Sequence, residues 1–231
     1  LDVIKVTING TESGIIHETA GTLKRRVSMT NDDPTRRYYD EHASEFAART
    51  MSRTMDEAYP RFLERLTPGA HILDAGCGPG RDSKAFLEMG YRVSAFDAST
   101  TLAKMAEQLT GQPVRVMRFQ DLDDRDVYDA VWASASLLHV SASEIDDVLF
   151  RLTRSLRVGG ILYLTVKFGD GERINIDGRL FNDYTPPSLR ATLARQSLLD
   201  VIDVWQQGDT RRGFEDQQWT HGLARRRVLP G

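Results

Sequence analysis

The chain has 231 residues, with 30 Lys and Arg against 33 Asp and Glu, a formal net charge of −3 with histidine neutral. That balance gives no strong preference for polyanions, and 40% hydrophobic with 27% charged residues at a mean hydropathy of −0.40 excludes disordered and collagen-like classes. The longest apolar runs, such as 161–166, fall far short of the roughly 18 residues a membrane-spanning helix needs, and no basic-then-apolar leader opens the chain, so the sequence reads as cytoplasmic. Cys77 is the single cysteine and the five histidines are scattered, so neither a disulfide nor a metal site is expected.

Residues 1–28 stand apart, with short β-prone pieces at 3–8 and 14–16 and the basic cluster Lys24, Arg25 and Arg26. Met29 precedes a polar helix-entry stretch, Thr30-Asn31-Asp32-Asp33-Pro34. Two readings stand side by side: a disordered extension with the native start at Met29, or a short packed strand pair. The domain proper is expected over 29–231, headed by a helical lid at about 35–66.

That lid comprises a helix over 35–50, carrying Tyr38, Tyr39 and Phe46, and a second over 55–66 that stops at Thr67-Pro68-Gly69. Strands and helices then alternate: strand 71–75, helix 81–89 closed by Gly90, strand 92–96, helix 100–109, strand 114–118 and strand 130–134. Ser141 to Glu144 fits a capping box, and Ile145, Val148, Leu149, Leu152 and Leu156 follow at helical spacing until Gly159-Gly160. A strand at 161–167, a polar loop, and a helix opened by Thr185-Pro186 and running to about Gln196 come next. The last two strands, 199–206 and 218–226, have only a loop between them and so read as antiparallel neighbours. Alternation at this spacing predicts right-handed βαβ units: an α/β, Rossmann-like, seven-stranded, mostly parallel sheet with an antiparallel C-terminal strand and helices on both faces.

The most informative stretch is Ile72-Leu73-Asp74-Ala75-Gly76-Cys77-Gly78-Pro79-Gly80-Arg81-Asp82, an apolar strand entering a glycine-rich turn and then a helix. Glycines let the backbone approach a ligand closely, and the helix start offers unpaired N–H groups, so the turn suits a nucleotide-like cofactor. The dinucleotide fingerprint would put its third glycine where Arg81 stands, which disfavours NAD. A phosphate-binding NTPase loop needs Gly-Lys-Ser/Thr, and Gly80 is followed by Arg81-Asp82.

The acidic residue before the turn, the GxGxG spacing and Asp97 ending the next strand resemble class I S-adenosylmethionine-dependent methyltransferases, over roughly residues 35–226. The resemblance implies S-adenosylmethionine as cofactor, held by Asp74, Ala75, Gly76, Cys77, Gly78 and Arg81 of the loop. It also implies that Asp97, with Ala98 and Ser99 beside it, accepts both ribose hydroxyls; the alternative is an aspartate that only caps the next helix. Gln120, Asp121 and Leu122 fall where the family holds adenine, with a plain acidic turn as the alternative. Backbone at Ala133 and Ser134, ending the fourth strand, is expected to line the cofactor. Gly80 to Ser83, Leu137 to Val140 and Tyr38-Tyr39-Asp40 look most like the small bacterial tellurite-resistance-like branch.

On the acceptor side His139 is the candidate catalytic residue, since an imidazole of ordinary pKa near 6.5 suits proton removal, with a packing role as the alternative. Tyr39 and Lys167 are candidate substrate contacts, and the Tyr38-Tyr39 pair is placed to close over the cofactor. The polar stretch 169–179 reads as a substrate loop or a plain hairpin. No Asn/Asp-Pro-Pro-aromatic tetrad follows the fourth strand and Cys77 sits in the glycine loop, which disfavours N-methylation of DNA and attack on cytosine C5. The expected partner is a small-molecule methyl acceptor. Competing readings are a nicotinamide-dependent oxidoreductase and a noncatalytic cofactor-binding protein of the same fold.

Overall fold

A computed structural model describes residues 33–51, 58–209, 214 and 216–228. The N-terminal extension 1–28 and the start at Met29 lie outside the described residues. So do 52–57, which include the first three residues of the helix expected over 55–66.

Seven strands form the main sheet: β1 (His71–Ala75), β2 (Arg92–Asp97), β3 (Val114–Val116), β4 (Tyr128–Ser134), β5 (Leu156–Lys167), β8 (Leu199–Gly208) and β9 (Gln218–Arg226), in the order β3-β2-β1-β4-β5-β9-β8. Strands β3 to β5 pair in parallel, and β9 runs antiparallel to both β5 and β8. The sheet therefore has the predicted class, with its antiparallel strand inserted between two that share one direction. A separate hairpin, β6 (Gly171–Ile174) with β7 (Leu180–Asp183), occupies the polar stretch after β5.

Among the described residues the α-helices are α1 (Pro34–Glu41), α2 (Ala43–Met51), α3 (Ala58–Leu63), α4 (Arg81–Glu88), α5 (Thr100–Thr110), α6 (Ile145–Ser155) and α7 (Pro186–Ala194). None of the described helices is long and apolar enough to cross a membrane. Central strands buried on both faces divide their side chains by the period of two. Ile72, Ala130, Trp132, Ile161 and Tyr163 meet Phe62 of α3 and Phe86 of α4 on one face. Leu73, Val131, Ala133, Leu162 and Leu164 meet α6 and α7 on the other.

Two helices differ most from expectation. The single helix at 35–50 breaks at His42, whose ring stacks on Tyr38 and whose Nδ1 lies 3.0 Å from the Tyr38 carbonyl oxygen. The helix expected to run to Gly159-Gly160 ends at Ser155, and Leu156 instead pairs with Tyr128 as the first residue of β5. There the Arg226 guanidinium, from β9, donates to the carbonyls of Arg154 and Leu156, so a distant strand satisfies a helix end that local periodicity would have prolonged. The capping box is not reciprocal either: the Ser141 hydroxyl donates to the Glu144 carboxylate, and the Ser141 carbonyl receives the N–H of Ile145. Thr185 and Ser188 do form the cap of α7 with Pro186 at its first position, as the sequence indicates.

The strand order reverses between β1 and β4, so the loops leaving their C-terminal ends part and open a crevice. One side of it is fixed by a buried charge. Asp82, in the first turn of α4, accepts from Arg81 Nε (2.6 Å) and Nη2 (2.9 Å), from the Tyr59 hydroxyl (2.7 Å) and from Trp132 Nε1 (2.7 Å). Burial alone would raise its pKa, but these donors, Arg81 foremost, hold it below the ordinary carboxylate value. Arg81→Met is expected to leave a buried carboxylate without its cation and to cost about 3–5 kcal/mol by chemical denaturation. Adding Asp82→Leu should recover part of that loss, which a purely steric role for Arg81 does not predict.

Candidate active site

The glycine loop leaves β1 and turns back under β2: the N–H groups of Gly76 and Cys77 both donate to the Phe96 carbonyl, at 2.9 and 3.0 Å. Gly76 has φ +75° and a Cβ there would lie 2.5 Å from Ser136 Cβ, so the glycine is required by packing against the segment after β4. Gly78 has φ +55° and only the Phe46 ring near its absent Cβ, at 3.4 Å; this position borders open space.

That space is a cavity of about 430 Å³, within the range of ligand pockets. Its lining includes Asp74, Gly76, Cys77, Gly78, Arg81, Asp97, Ala98, Ser99, Gln120, Ser134, Tyr39 and His139, thereby bringing together most of the residues picked from sequence. Ala75, Asp121, Leu122, Ala133 and Lys167 do not line it. Ala75, Leu122 and Ala133 are core side chains. Asp121 is turned to Arg118, whose Nε and Nη2 donate to it at 3.1 and 3.2 Å, and this pairing lowers its pKa. Lys167 places its ammonium 4.9 Å from the centre of the Phe181 ring.

Asp97 ends β2 with both oxygens already oriented: Oδ2 accepts from the Gly78 N–H and Oδ1 from the Ser99 N–H, each at 2.8 Å. Burial raises its pKa to about 6, against those two hydrogen bonds and with a contribution from the nearby Asp40 carboxylate. Asp74, beneath the loop, is raised by burial and by Asp82, and accepts from the Ser83 hydroxyl at 2.6 Å. Burial also pushes the Cys77 thiol well above its ordinary value, which removes it as a nucleophile.

Across the cavity His139 follows β4 on a short 3₁₀ turn, Leu137–His139. Its Nδ1 lies 2.7 Å from the Leu180 carbonyl oxygen and its Nε2 2.7 Å from the Tyr39 hydroxyl. Burial lowers its pKa to about 4, opposed by the Leu180 bond and assisted by the cations Arg179 and Lys167. The near-neutral titration expected of a general base is therefore not what the fold provides.

Several lining residues were not picked from sequence. Met117 and Phe119 form an apolar wall beside Gln120, with the Phe119 ring edge-on to Phe96 at 5.2 Å. Ala135 adopts φ +52°, unusual for a residue with a Cβ, held by its N–H donating to the Thr165 hydroxyl and carbonyl. The hairpin contributes Ile174, Gly178 and Leu180, so the polar stretch is a structured wall of the cavity. Only Phe119 after β3 carried a usable signal, an aromatic residue adjoining the expected adenine segment.

Residues 73–164 match the family model described as Methyltransferase domain. Over 146 residues the chain is 32% identical to the malonyl-[acyl-carrier protein] O-methyltransferase of Salmonella typhimurium, covering 62% of this chain and 46% of that protein. It is 30% identical over 160 residues to a tRNA (carboxymethyluridine(34)-5-O)-methyltransferase of Arabidopsis thaliana, covering 67% of this chain and 36% of that one. The chain thus spans about half the length, or less, of these relatives. Among solved structures it is similar to the Burkholderia thailandensis 1,6-didemethyltoxoflavin-N1-methyltransferase with bound 1,6-didemethyltoxoflavin and S-adenosylhomocysteine. The TM-score is 0.71 at 24% identity, covering 84% of this chain and 88% of that one, which shows the shared Rossmann-like fold.

Two substitutions separate packing from ligand space. Gly76→Ala adds a clash to left-handed strain and is expected to cost about 2–4 kcal/mol. Gly78→Ala carries only the strain, about 1–2 kcal/mol, and should fold while narrowing the cavity. Thermal melts with crystal structures of the folded variants check both.

Proposed function

We propose that this chain, with its methyltransferase domain at 73–164, binds S-adenosylmethionine in the cavity and transfers its methyl group to a small-molecule acceptor. The observation that carries the reading is Asp97. A carboxylate at the C-terminal end of β2, with each oxygen fixed by one backbone N–H, keeps further lone pairs directed at a cavity where the strand order reverses. Such an acceptor-only group suits a vicinal diol such as ribose. Two further features fit the cofactor: the open face at Gly78, and the buried Ser134 hydroxyl, which has no hydrogen-bond partner among the described residues.

When bound, the cofactor supplies an already electrophilic sulfonium methyl, so the protein's task is alignment and exclusion of water. The glycine loop and Asp97 would hold it from one side, and Met117 and Phe119 would cover its base. Tyr39 and Phe46 bring α1 and α2 to the cavity from the lid. No step requires a base of the chain's own.

The small-molecule acceptor is supported by the size of the cavity, and the net charge of −3 gives no polyanion surface to favour nucleic acid. Within the class, the tellurite-resistance-like branch rests on the three sequence segments quoted above. A cytoplasmic location belongs to the same reading, from composition and the single cysteine. The family match and the relatives' names support methyl transfer over nicotinamide chemistry.

Calorimetry with S-adenosylhomocysteine tests the reading, with NADH as the control ligand. Asp97→Ala is expected to weaken binding at least tenfold, since charge-assisted hydrogen bonds are worth about 1.5–3 kcal/mol each. The pH dependence has a definite sign. Because the folded-state pKa of Asp97, about 6, exceeds its ordinary 3.8, its ionisation disfavours the free protein as pH rises through that interval. A ligand that hydrogen-bonds to the ionised form restores that loss, so the thermal shift given by S-adenosylhomocysteine should grow from pH 5 to 7.5 in wild type and stay flat in Asp97→Ala. Unchanged affinity in the variant would place the ribose elsewhere.

A further inference from the structure

The Tyr39 hydroxyl and His139 Nε2 meet at 2.7 Å on the cavity wall, and the direction of this bond follows from the other ring nitrogen. His139 Nδ1 faces the Leu180 carbonyl at 2.7 Å, and a carbonyl can only accept, so Nδ1 carries the ring proton. The groups around the ring keep it neutral: it is buried, with Arg179 and Lys167 nearby, opposed by Asp177. A neutral imidazole protonated on Nδ1 has a bare lone pair on Nε2, so Tyr39 must donate its proton there. The phenol cannot turn toward Arg179 instead, because Arg179 Nη1, 3.3 Å from the same oxygen, is itself a donor. Burial raises the phenol pKa, so the hydroxyl stays protonated.

With its one proton committed to His139 and one lone pair receiving Arg179 Nη1, the Tyr39 oxygen has a single lone pair left to offer the cavity. Two arginines of the lining are already engaged by carboxylates, Arg81 by Asp82 and Arg118 by Asp121. Arg179, behind Tyr39, is held by Asp177 through Nε (3.1 Å) and Nη2 (2.6 Å).

We propose that Tyr39 is the specificity-determining residue for the acceptor: it receives a hydrogen bond from the nucleophile, so the site takes hydroxyl or amine acceptors and discriminates against carboxylates. This rests on the methyl-transfer reading. A nucleophile whose O–H or N–H points at Tyr39 keeps a lone pair free for alignment. A carboxylate would set lone pair against lone pair. His139 is then a positioning residue, acting through Tyr39 by holding its proton away from the cavity.

The test uses protein saturated with S-adenosylhomocysteine and titrated with phenol, aniline, anisole and benzoate, followed by ¹H–¹⁵N NMR. Phenol and aniline are expected to bind at least tenfold more tightly than anisole, which lacks the proton, and than benzoate. Tyr39→Phe should abolish that preference. His139→Ala, by freeing the Tyr39 proton to turn inward, should shift the preference toward benzoate, an effect that lost packing alone does not produce. In wild type, ¹⁵N shifts of His139 should report a proton on Nδ1 and a bare Nε2 at neutral pH. Equal or tighter binding of anisole or benzoate, binding of none of the four, or a proton on Nε2 overturns the proposal. Failure of S-adenosylhomocysteine itself to bind would instead overturn the cofactor reading.

Discussion

Two carboxylates, Asp74 and Asp82, are buried beneath the glycine loop, and the cation Arg81 is ion-paired with Asp82. Burial and mutual repulsion disfavour two neighbouring negative charges, and the fold resolves them differently. Asp82 collects Arg81, Tyr59 and Trp132 and stays ionised; Asp74 has the Ser83 hydroxyl and is pushed up by burial and by its neighbour. Because the donors to Asp82 come from α3, α4 and β4, one satisfied charge fixes three elements around the loop. The loop's own path follows, since its glycines must pass against Ser136 and beneath Phe96.

Helix α1 is tied to the same frame by polar contacts that converge on the start of α5. Ser99 donates its N–H to Asp97, accepts the Leu102 N–H as the cap of α5, and donates its hydroxyl to Asp40 of α1 at 2.7 Å. One residue thus links the carboxylate facing the cavity to the helix covering it. The other attachments of α1 are Thr35, whose hydroxyl oxygen accepts the Leu180 N–H, and Tyr39, which meets His139. Leu180 receives the His139 proton on its carbonyl while giving its N–H to Thr35, so the β6–β7 hairpin orients both the imidazole and α1.

Much of this was legible in the chain. Uninterrupted apolar runs flanked by helical periodicity gave the βαβ order, and β1 and β9 fall at the expected residues. The glycine spacing and Asp97 located the cavity because a tight turn and a strand-ending acid are local features, set by backbone conformation and the period of two. Thr185-Pro186 marked α7 for the same reason: an N-cap acts within three residues.

What the sequence could not supply depends on residues brought close only by folding. Arg226 ends α6 from more than seventy residues away. Asp121 looks like Asp97 in sequence, yet Arg118 turns it aside, and Leu122 is spent in the core. His139 carries no mark of its titration, because an imidazole's pKa is fixed by burial and by neighbours such as Leu180, Arg179 and Lys167 rather than by its place in the chain. Local patterns determined the succession of strands and helices along the chain and the loop; the order of strands in the sheet, which side chains face the cavity, and in which protonation state, were decided by long-range packing that desolvates some charges and pairs others.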